Sequence, residues 1–308
     1  MKSPGRRSPS ERLAPNADAF DRFAAQTRGF LEEALRDSLP RPGDRAPALA
    51  RAIEDAVLSP GKRLRPLVAL AAGDLTGAPR SGTVAVAVAV EYLHAASLVL
   101  DDLPSMDDAR RRRGRPALHI THGVATAELA SVALVARAFE VVSTAPGLSA
   151  AARARVLGEL AAAVGASGCC AGQAADLAAN PSRLALEDLE AIHARKTGAL
   201  FVAAVRGGAI AGGAGERSLA ALTLFARNLG LAFQITDDLL DLEGDADRMG
   251  KDVRRDAHRA NFATLLGSAD SRQLVGELLG AAVTALSLFG EKQAVLADLA
   301  RVVRDRRS

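Results

Sequence analysis

The sequence predicts an all-α fold, on three observations. Of the 308 residues, 49% are hydrophobic but only 3% are aromatic, so the core must consist mainly of Ala, Leu and Val. Ala and Leu rank high in helix propensity. No segment shows the strict alternation of apolar and polar residues that indicates a half-buried strand. Because no linker divides the chain, we expect one helical domain at 17–308, preceded by a disordered Ser-, Pro- and Arg-rich tail at 1–16.

The individual helices are predicted from apolar residues that recur at helical spacing. The apolar face of the first helix consists of Phe20, Phe23, Phe30, Leu31 and Leu35. Prolines and a glycine at 40–43 end this helix. Further apolar stretches predict helices at 47–58, 67–75, 84–100, 125–142 and 150–177, then from about residue 186, from 219, and onward to about 303.

Charge and cysteine content exclude several classes of protein. The 39 basic and 36 acidic residues give a formal net charge of +3, which describes a mixed surface, so no nucleic-acid partner is expected. No uninterrupted apolar stretch convincingly reaches the length of a membrane span, so no stable membrane insertion is expected. Cys169 and Cys170 are adjacent in a helical pattern without visible partners, which indicates buried free thiols and a cytoplasmic location.

Four aspartates, Asp101, Asp102, Asp107 and Asp108, lie where the apolar helix at 84–100 ends. A helix C-terminus carries partial negative charge, so each acidic residue there is unfavourable by about 0.3–1 kcal/mol unless a cation neutralises it. Carboxylates this close also repel one another. Mg2+ takes oxygen ligands and commonly bridges carboxylates to substrate phosphates. Taken alone, the segment is equally consistent with a solvated acidic turn.

A second acidic cluster follows the apolar run at 219–235 and consists of Asp237, Asp238 and Asp241. At spacings of three and four residues these side chains share one helix face, where like charges are destabilising. Two such clusters at the ends of apolar helices favour a cleft whose facing acidic walls hold metal ions.

Basic residues cluster in two segments of the chain. Lys62, Arg63 and Arg65 stand at the start of an apolar helix, where they oppose the helix dipole and an anion would explain them better. The arginines at 110–113 and 115 carry planar groups that suit bidentate phosphate contacts. A solvated basic turn and simple charge compensation remain open alternatives. Acids for Mg2+ and cations for two polyanionic groups suit a diphosphate ester with a hydrocarbon tail.

Two further features are ambiguous from the residues alone. Lys196, Thr197 and Gly198 interrupt a buried-looking helix, which indicates either a kink around a ligand or a helix terminus with a C-terminal glycine. His94 lies on an otherwise apolar helix face, where a histidine is more often a core residue than a ligand.

The order of these motifs closely resembles the trans-isoprenyl diphosphate synthases, the polyprenyl synthetase family. The resemblance covers roughly residues 50–270 and rests on the segments 61–66, 101–107, 112–114, 172–173, 196–197, 233–234, 237–241 and 250–252. Residues 94–108 look most like bacterial geranylgeranyl diphosphate synthases of carotenoid pathways. The resemblance implies a helical bundle around a central apolar cavity, usually a homodimer.

The resemblance also implies a role for each motif residue. The metal ligands, for three Mg2+ ions, would be Asp101, Asp102, Asp107, Asp237 and Asp241. Of these, Asp101 and Asp107 would bind two ions and Asp237 the third. Isopentenyl diphosphate would contact Lys62, Arg65, His94 and Arg113, and the allylic diphosphate would contact Arg112, Lys196, Lys251 and Arg259.

The implied catalytic residues are Lys196, Thr197 and Gln234, of which the last two would direct oxygen dipoles at a carbocation. The implied reaction is ionisation of the allylic substrate, attack by the isopentenyl double bond and loss of a proton to the released diphosphate.

Two segments depart from the family pattern. Residues 130–132 are Ala-Ser-Val where the family often has Ala-Gly-Asp, a loss that carotenoid-type members share. Residues 259–261 are Arg-Ala-Asn where Lys, then Ser or Ala, then Thr is usual; Arg259 keeps the charge, but Arg and Lys are not interchangeable. The roles of Arg259 and Asn261 therefore stay open.

Two other activities fit less well. A class I terpene cyclase would pair one aspartate motif with an Asn/Ser/Glu metal motif, which the sequence lacks, and would not need an isopentenyl site. A non-catalytic subunit that binds prenyl diphosphate would be expected to have lost aspartates, whereas both motifs are whole.

Product length is expected to depend on Ala96 and Ser97, which lie about one helical turn before Asp101. In the resembling family a bulky aromatic side chain here stops elongation early, whereas both residues are small in this chain. Leu93, one further turn away, would form a floor. We therefore expect geranylgeranyl diphosphate as the product, with farnesyl diphosphate as the alternative.

Overall fold

The computed structural model describes residues 18–41, 43, 45–181, 183–243 and 261–306. This part of the chain is all-α, as the composition predicts. Its one short antiparallel ribbon pairs β1 (Arg111–Arg112) with β2 (Arg115–Pro116). The tail that the sequence predicts to be disordered, at 1–16, lies outside the described residues.

The helices begin and end within a few residues of the predicted positions in most cases. In chain order they are α1 (Ala19–Asp37), α2 (Pro47–Leu58), α3 (Leu64–Thr76), α4 (Arg80–Asp101), α5 (Leu118–His122), α6 (Val124–Ser143), α7 (Ala150–Val164), α8 (Cys169–Ala178), α9 (Leu186–His193), a π-helical turn (Ala194–Gly198), α10 (Ala199–Ala211), α11 (Glu216–Glu243), α12 (Phe262–Leu266), α13 (Ser268–Ala285), a 3-10 segment (Leu286–Gln293) and α14 (Ala294–Arg304).

The prediction of one continuous helix at 150–177 is wrong, because the chain breaks between α7 and α8. Gly168 lies against the last turn of α7, where an ideal Cβ would sit 2.0 Å from the carbonyl oxygen of Ala163.

The break places Cys169 and Cys170 at the start of α8. Cys169 is partly buried, but Cys170 is exposed, so the expectation of two buried thiols is wrong for Cys170.

The apolar face predicted for α1 holds for Phe20, Leu31 and Leu35, which are buried, but not for Phe30. The ring of Phe30 is 44% exposed and lies 5.8 Å from the guanidinium carbon of Arg80. Because Phe30 precedes Leu31 by one residue, it points about 100° away from the buried face of the helix.

Helix α4 lies in the core, where it packs against α3, α6 and α10. Small residues let the surrounding helices approach closely. In α10, an ideal Cβ on Gly208 would lie 2.1 Å from the carbonyl oxygen of Ala69 in α3. Packing on several sides therefore fixes the helix that ends at Asp101.

Four stretches of the described chain, each of which contains charged residues, have the length and apolar composition of a membrane span. Two of them, Arg80–Asp101 and Glu216–Leu242, have 72% and 50% of their most apolar 18-residue window buried inside the protein. For these two, packing in the core accounts for much of the apolar composition.

Candidate active site

The first acidic cluster forms a turn at the C-terminal end of α4. The backbone N–H of Asp107 donates to the carbonyl of Asp101 at 2.9 Å, and that of Asp108 donates to the carbonyl of Leu103 at 2.9 Å. Asp108 has a φ of 45°, a value that non-glycine residues seldom adopt. These bonds close the turn so that Asp101 and Asp107 lie within electrostatic reach of each other.

Asp101 lies in a partly buried environment that disfavours its charge. Burial raises the pKa of this carboxyl to about 6, Lys196 opposes the rise, and the neighbouring Asp107 adds to it. A cation between Asp101 and Asp107 would relieve both the burial cost and the repulsion.

Asp102 is placed differently from Asp101. Its buried carboxylate accepts hydrogen bonds from Arg112, whose Nε lies 2.9 Å from Oδ1 and 3.2 Å from Oδ2, while Nη2 also contacts Oδ1. In this structure the carboxylate of Asp102 is therefore engaged with Arg112 of the ribbon. The same ion pair holds Arg112, the predicted ligand of the allylic diphosphate.

Lys196 and Thr197 lie in the π-helical turn between α9 and α10, so neither residue ends a helix. Such turns inside helices are frequent at functional sites. The ammonium group of Lys196 pairs with Asp176 Oδ2 at 2.7 Å. The sequence left open whether this segment is a kink or a helix terminus, and the structure shows a local irregularity within a continuing helix.

Gly172 explains part of the 172–173 motif, because it lets α8 pack directly against the π-helical turn. An ideal Cβ at this position would lie 2.2 Å from the backbone nitrogen of Lys196. Next to it, the side-chain amide of Gln173 lies 4.0 Å from the sulfur of Met106 in the first acidic turn. The motif thus links the lysine to the acidic turn.

We expect Gly172→Ala to destabilise the protein by about 1–3 kcal/mol, since the added methyl overpacks the backbone of the π-helical turn. Turnover should fall by more than the loss of folded protein explains, because the shift of the backbone displaces Lys196. The matched control is Gly158→Ala in α7, where an added Cβ meets no atom within 4 Å. Thermal melts and turnover of both variants test this; equal behaviour of the two would contradict it.

Helix α11 presents the second acidic cluster. Gln234 Oε1 accepts a hydrogen bond from Thr197 Oγ1 at 2.9 Å, so the two predicted catalytic residues are in contact. The Nε2 of Gln234 donates to Asp238 Oδ1 at 2.9 Å. Asp237 and Asp241 are partly exposed, in contrast to the buried Asp238.

The predicted isopentenyl diphosphate residues form a second basic group. Arg65 Nη1 lies 3.2 Å from His94 Nε2, and the guanidinium carbon of Arg65 lies 4.6 Å from the centre of the Phe201 ring. Burial and the nearby Arg65 hold the pKa of His94 well below its usual value. Because arginine can only donate, neutral His94 accepts at Nε2 and carries its proton on Nδ1.

The turn that carries Lys62 is held by two arginines. The two terminal nitrogens of Arg28 in α1 donate to the carbonyls of Gly61 and Lys62, each at 3.2 Å. Arg113 Nη1 donates to the carbonyl of Pro60 at 3.2 Å. Arg113 and Lys62 therefore lie close together, as predicted, whereas the role of Arg28 carries no motif signal.

Arg63 belongs to the core and not to the predicted anion site. Its side chain is buried and pairs with Glu91 at 2.7 Å and with Glu32 at 2.8 Å. The basic turn therefore contributes two cations to the site and uses the third to join α1, α3 and α4.

Arg306, in the basic segment after α14, packs against the second acidic cluster. The guanidinium of Arg306 lies 2.8 Å from Asp237 Oδ1 and 4.3 Å from the centre of the Phe233 ring, and its side chain is only 14% exposed. Arg306 also lowers the pKa of Lys62, after the larger effect of burial. Sequence reasoning missed this residue because it follows no apolar period and no motif.

A cavity of about 300 Å³ lies between α2, α4, α5 and the ribbon. Its lining includes the polar residues Glu91, His94, Asp102, Arg112 and Arg113 and the apolar residues Ala95, Leu98, Val99 and Leu118.

Ala96 and Ser97, the residues predicted to set product length, do not line this cavity. Ala96 is buried, and its carbonyl accepts from Ser131 of α6 at 3.4 Å, while the hydroxyl of the partly buried Ser97 donates to the carbonyl of His94.

Lys251 and Arg259 lie outside the described residues. Asn261, whose role the sequence left open, caps α12: its Oδ1 accepts from the backbone N–H of Thr264 at 2.8 Å. Within the described ranges, no three His, Cys, Asp or Glu side chains converge as a ready set of metal ligands.

Comparisons with known proteins agree with this arrangement. The polyprenyl synthetase family model matches residues 46–274. A farnesyl diphosphate synthase of Escherichia coli (strain K12) is 43% identical over 237 residues, covering 75% of this chain and 79% of that protein. A chloroplastic geranylgeranyl pyrophosphate synthase of Catharanthus roseus is 41% identical over 255 residues, covering 81% and 71%.

The solved structures agree as well. The apo structure of an FPP/GFPP synthase from Zymomonas mobilis superposes with a TM-score of 0.83 at 34% identity, and the match covers 92% of this chain and 98% of that one. With the motifs gathered on α3, α4, α11 and the π-helical turn, the chain belongs to the polyprenyl synthetase family and is a prenyltransferase that elongates prenyl chains.

Proposed function

We propose that the protein condenses isopentenyl diphosphate head to tail with an allylic diphosphate, in a reaction that requires Mg2+. The observation that carries the proposal is the contact between Thr197 and Gln234, two of the predicted catalytic residues. Around it, Asp101 lies within electrostatic reach of Lys196, and Asp237 within reach of Arg65 and Lys62. Relatives described as farnesyl and geranylgeranyl diphosphate synthases support the substrate class.

The side chains present fit Mg2+ by their chemistry. Asp101, Asp107 and Asp237 offer hard oxygen donors, and the raised pKa of Asp101 reflects burial and repulsion that a cation would relieve. We assign three ions to these carboxylates and to Asp241, and we assign Asp102 to Arg112 instead. Bound Mg2+ would neutralise the charge that develops on the departing diphosphate.

The chain's own residues then bind and orient the two substrates. Lys196 contacts the allylic diphosphate, while Lys62, Arg65 and Arg113 hold isopentenyl diphosphate. The bond between allylic C1 and the diphosphate oxygen breaks, and the isopentenyl double bond attacks C1. A proton then leaves isopentenyl C2 for the released diphosphate, so no protein general base is needed.

The direct test is incubation of the enzyme with isopentenyl diphosphate, Mg2+ and dimethylallyl, geranyl or farnesyl diphosphate in turn, followed by mass spectrometry. We expect geranylgeranyl diphosphate to accumulate from every starter. Farnesyl diphosphate as the end product would support the runner-up. A hydrocarbon formed without isopentenyl diphosphate would indicate a terpene cyclase and refute the proposal.

Product length supplies a more specific prediction. We expect Ala96→Tyr to shorten the main product by at least one five-carbon unit while turnover continues, because a tail running past α4 from Asp101 would meet the ring. Since Ala96 is buried against α6, the half-buried Ser97 offers a second variant, Ser97→Phe. Chromatography of the dephosphorylated products measures the length; a wild-type distribution from both folded variants would disprove the tail's route.

We further propose a homodimer in which α5 and α6 meet their symmetry mates. These helices carry large apolar side chains on the surface, namely Ile120, Val124, Leu129 and Val132. Such a patch is typical of an interface.

We expect Val132→Glu to halve the mass seen in light scattering, since Val132 is 66% exposed and a dimer would bury the new charge. Leu224→Glu is the matched control, because Leu224 is a similarly exposed apolar residue on α11. A monomeric wild type, or equal effects of the two changes, would rule this interface out.

A further inference from the structure

Asp238 is the buried aspartate of the second cluster, and both of its carboxylate oxygens are engaged within the protein. Oδ1 accepts from Gln234 Nε2 at 2.9 Å, and Oδ2 accepts from the backbone N–H of Phe262 at 3.0 Å. The residue is only 6% exposed. Its side chain thus joins α11 to the first turn of α12.

These bonds fix the direction of a longer chain of hydrogen bonds. An ionised carboxylate only accepts and a backbone N–H only donates, so neither end of the chain can reverse. The amide of Gln234 must therefore turn its NH2 group to Asp238 and its oxygen to Thr197. The hydroxyl of Thr197 must in turn donate to Gln234, at 2.9 Å.

The consequence concerns the charge that the two side chains present to the reacting centre. With its proton committed to Gln234, the Thr197 oxygen has only lone pairs left to turn elsewhere. The amide oxygen of Gln234 also has one lone pair beyond that bond. Both groups are thereby set as negative ends of dipoles, which stabilise a developing positive charge without reorganising.

We propose that Asp238 is a positioning residue that sets the polarity of the Thr197–Gln234 pair, and that it is not a metal ligand. This inference rests on the proposed function, because it requires an allylic cation next to Thr197. It adds a division of labour within the second cluster, in which Asp237 faces the cleft and Asp238 faces the protein.

The test uses a substitution that preserves shape and reverses polarity, Asp238→Asn. The N–H of Phe262 cannot turn, so the introduced amide keeps its oxygen there and offers its NH2 to Gln234. The amide of Gln234 then flips, its NH2 faces Thr197, and the threonine proton is released toward the cleft. We expect kcat to fall by about 10²-fold, while the KM values for both diphosphates change less than about threefold.

A second substitution should restore the original direction. In the double variant, Asp238→Asn combined with Gln234→Glu, the carboxylate introduced at position 234 accepts hydrogen bonds from the amide introduced at position 238 and from the hydroxyl of Thr197. The net charge of the pair is the same as in the wild type. We expect the double variant to recover at least about tenfold of the lost kcat, although Gln234→Glu alone should be inactive because it sets two carboxylates against each other. Such non-additivity is the mark of directly coupled residues.

Binding measurements separate this role from a structural or metal-binding one. We expect Asp238→Asn to weaken, by about tenfold, the binding of an allylic diphosphate analogue in which a tertiary ammonium nitrogen replaces the carbon that becomes cationic. The allylic thiolodiphosphate of the same chain length, which has no positive charge in its hydrocarbon part, should bind as before. Mn2+ should also bind as before in calorimetry.

The inference is overturned if the double variant stays as slow as Asp238→Asn, if both analogues weaken equally, or if Mn2+ affinity drops about tenfold. Wild-type condensation is measured first. Its absence would refute the proposed function, whereas its presence with any of these three results would refute only the role of Asp238.

Discussion

Replacing Asp101 by alanine is expected to lower turnover by three or more orders of magnitude and to leave the metal-free protein at least as stable as the wild type. The loss follows from removing a carboxylate assigned to the metal. The gain in stability follows from the raised pKa of Asp101, for which burial is the main cause. A group whose charged form is disfavoured in the folded state destabilises the protein when it is ionised.

The sign of this effect sets a pH window. The folded pKa is about 6, above the ordinary value of 3.8, so the cost of Asp101 is fully present above pH 6 and absent below about 4. The free energy of unfolding of Asp101→Ala should therefore exceed that of the wild type by about 1–3 kcal/mol near pH 7, and the difference should vanish near pH 4. Denaturant titrations without metal at both pH values measure this.

Asp37→Ala is the matched control, because Asp37 is the last residue of α1 as Asp101 is of α4, but it is exposed. It should gain a little stability at most and keep full activity. If Asp101→Ala keeps near-normal turnover at saturating Mg2+, the cluster is an acidic helix end and not a metal site.

The second large effect concerns the division of the cations between two diphosphates. Lys196→Ala should mainly weaken use of the allylic substrate, and Arg65→Ala should mainly raise the KM for isopentenyl diphosphate. Each change removes a charge-assisted contact worth about 1.5–3 kcal/mol, or roughly 10- to 150-fold.

Because Arg65 packs against Phe201, Arg65→Met serves as a second variant that keeps most of the volume. Initial rates with each substrate varied in turn give the two KM values. Equal effects of the Lys196 and Arg65 changes on both substrates would argue against two separate sites.

The sequence predicts most of the site because helical spacing places residues on faces. The apolar runs predict where α4 ends and where the core-facing part of α11 gives way to acidic residues, and with them the positions of Asp101 and Asp237. What spacing does not resolve is which of two adjacent aspartates faces the cleft. Asp102 points about 100° away from Asp101, to where Arg112 of the ribbon meets it.

Contacts between residues distant in the chain are the other part that the sequence leaves out. Arg306 reaches Asp237 across the packing of α11 and α14. The π-helical turn depends on backbone contact with Gly172, some two dozen residues earlier. Neither arrangement leaves a periodic signal, because both depend on how finished helices pack.

The most direct test of the condensation itself is a single turnover. Enzyme in molar excess over an allylic diphosphate is first incubated with that substrate and Mg2+. The mixture is then combined rapidly with isopentenyl diphosphate and quenched at intervals. We predict that each allylic molecule consumed yields one prenyl diphosphate longer by five carbons and one free diphosphate, and that nothing forms when either isopentenyl diphosphate or Mg2+ is omitted. Consumption of the allylic substrate at the same rate without isopentenyl diphosphate would contradict the account.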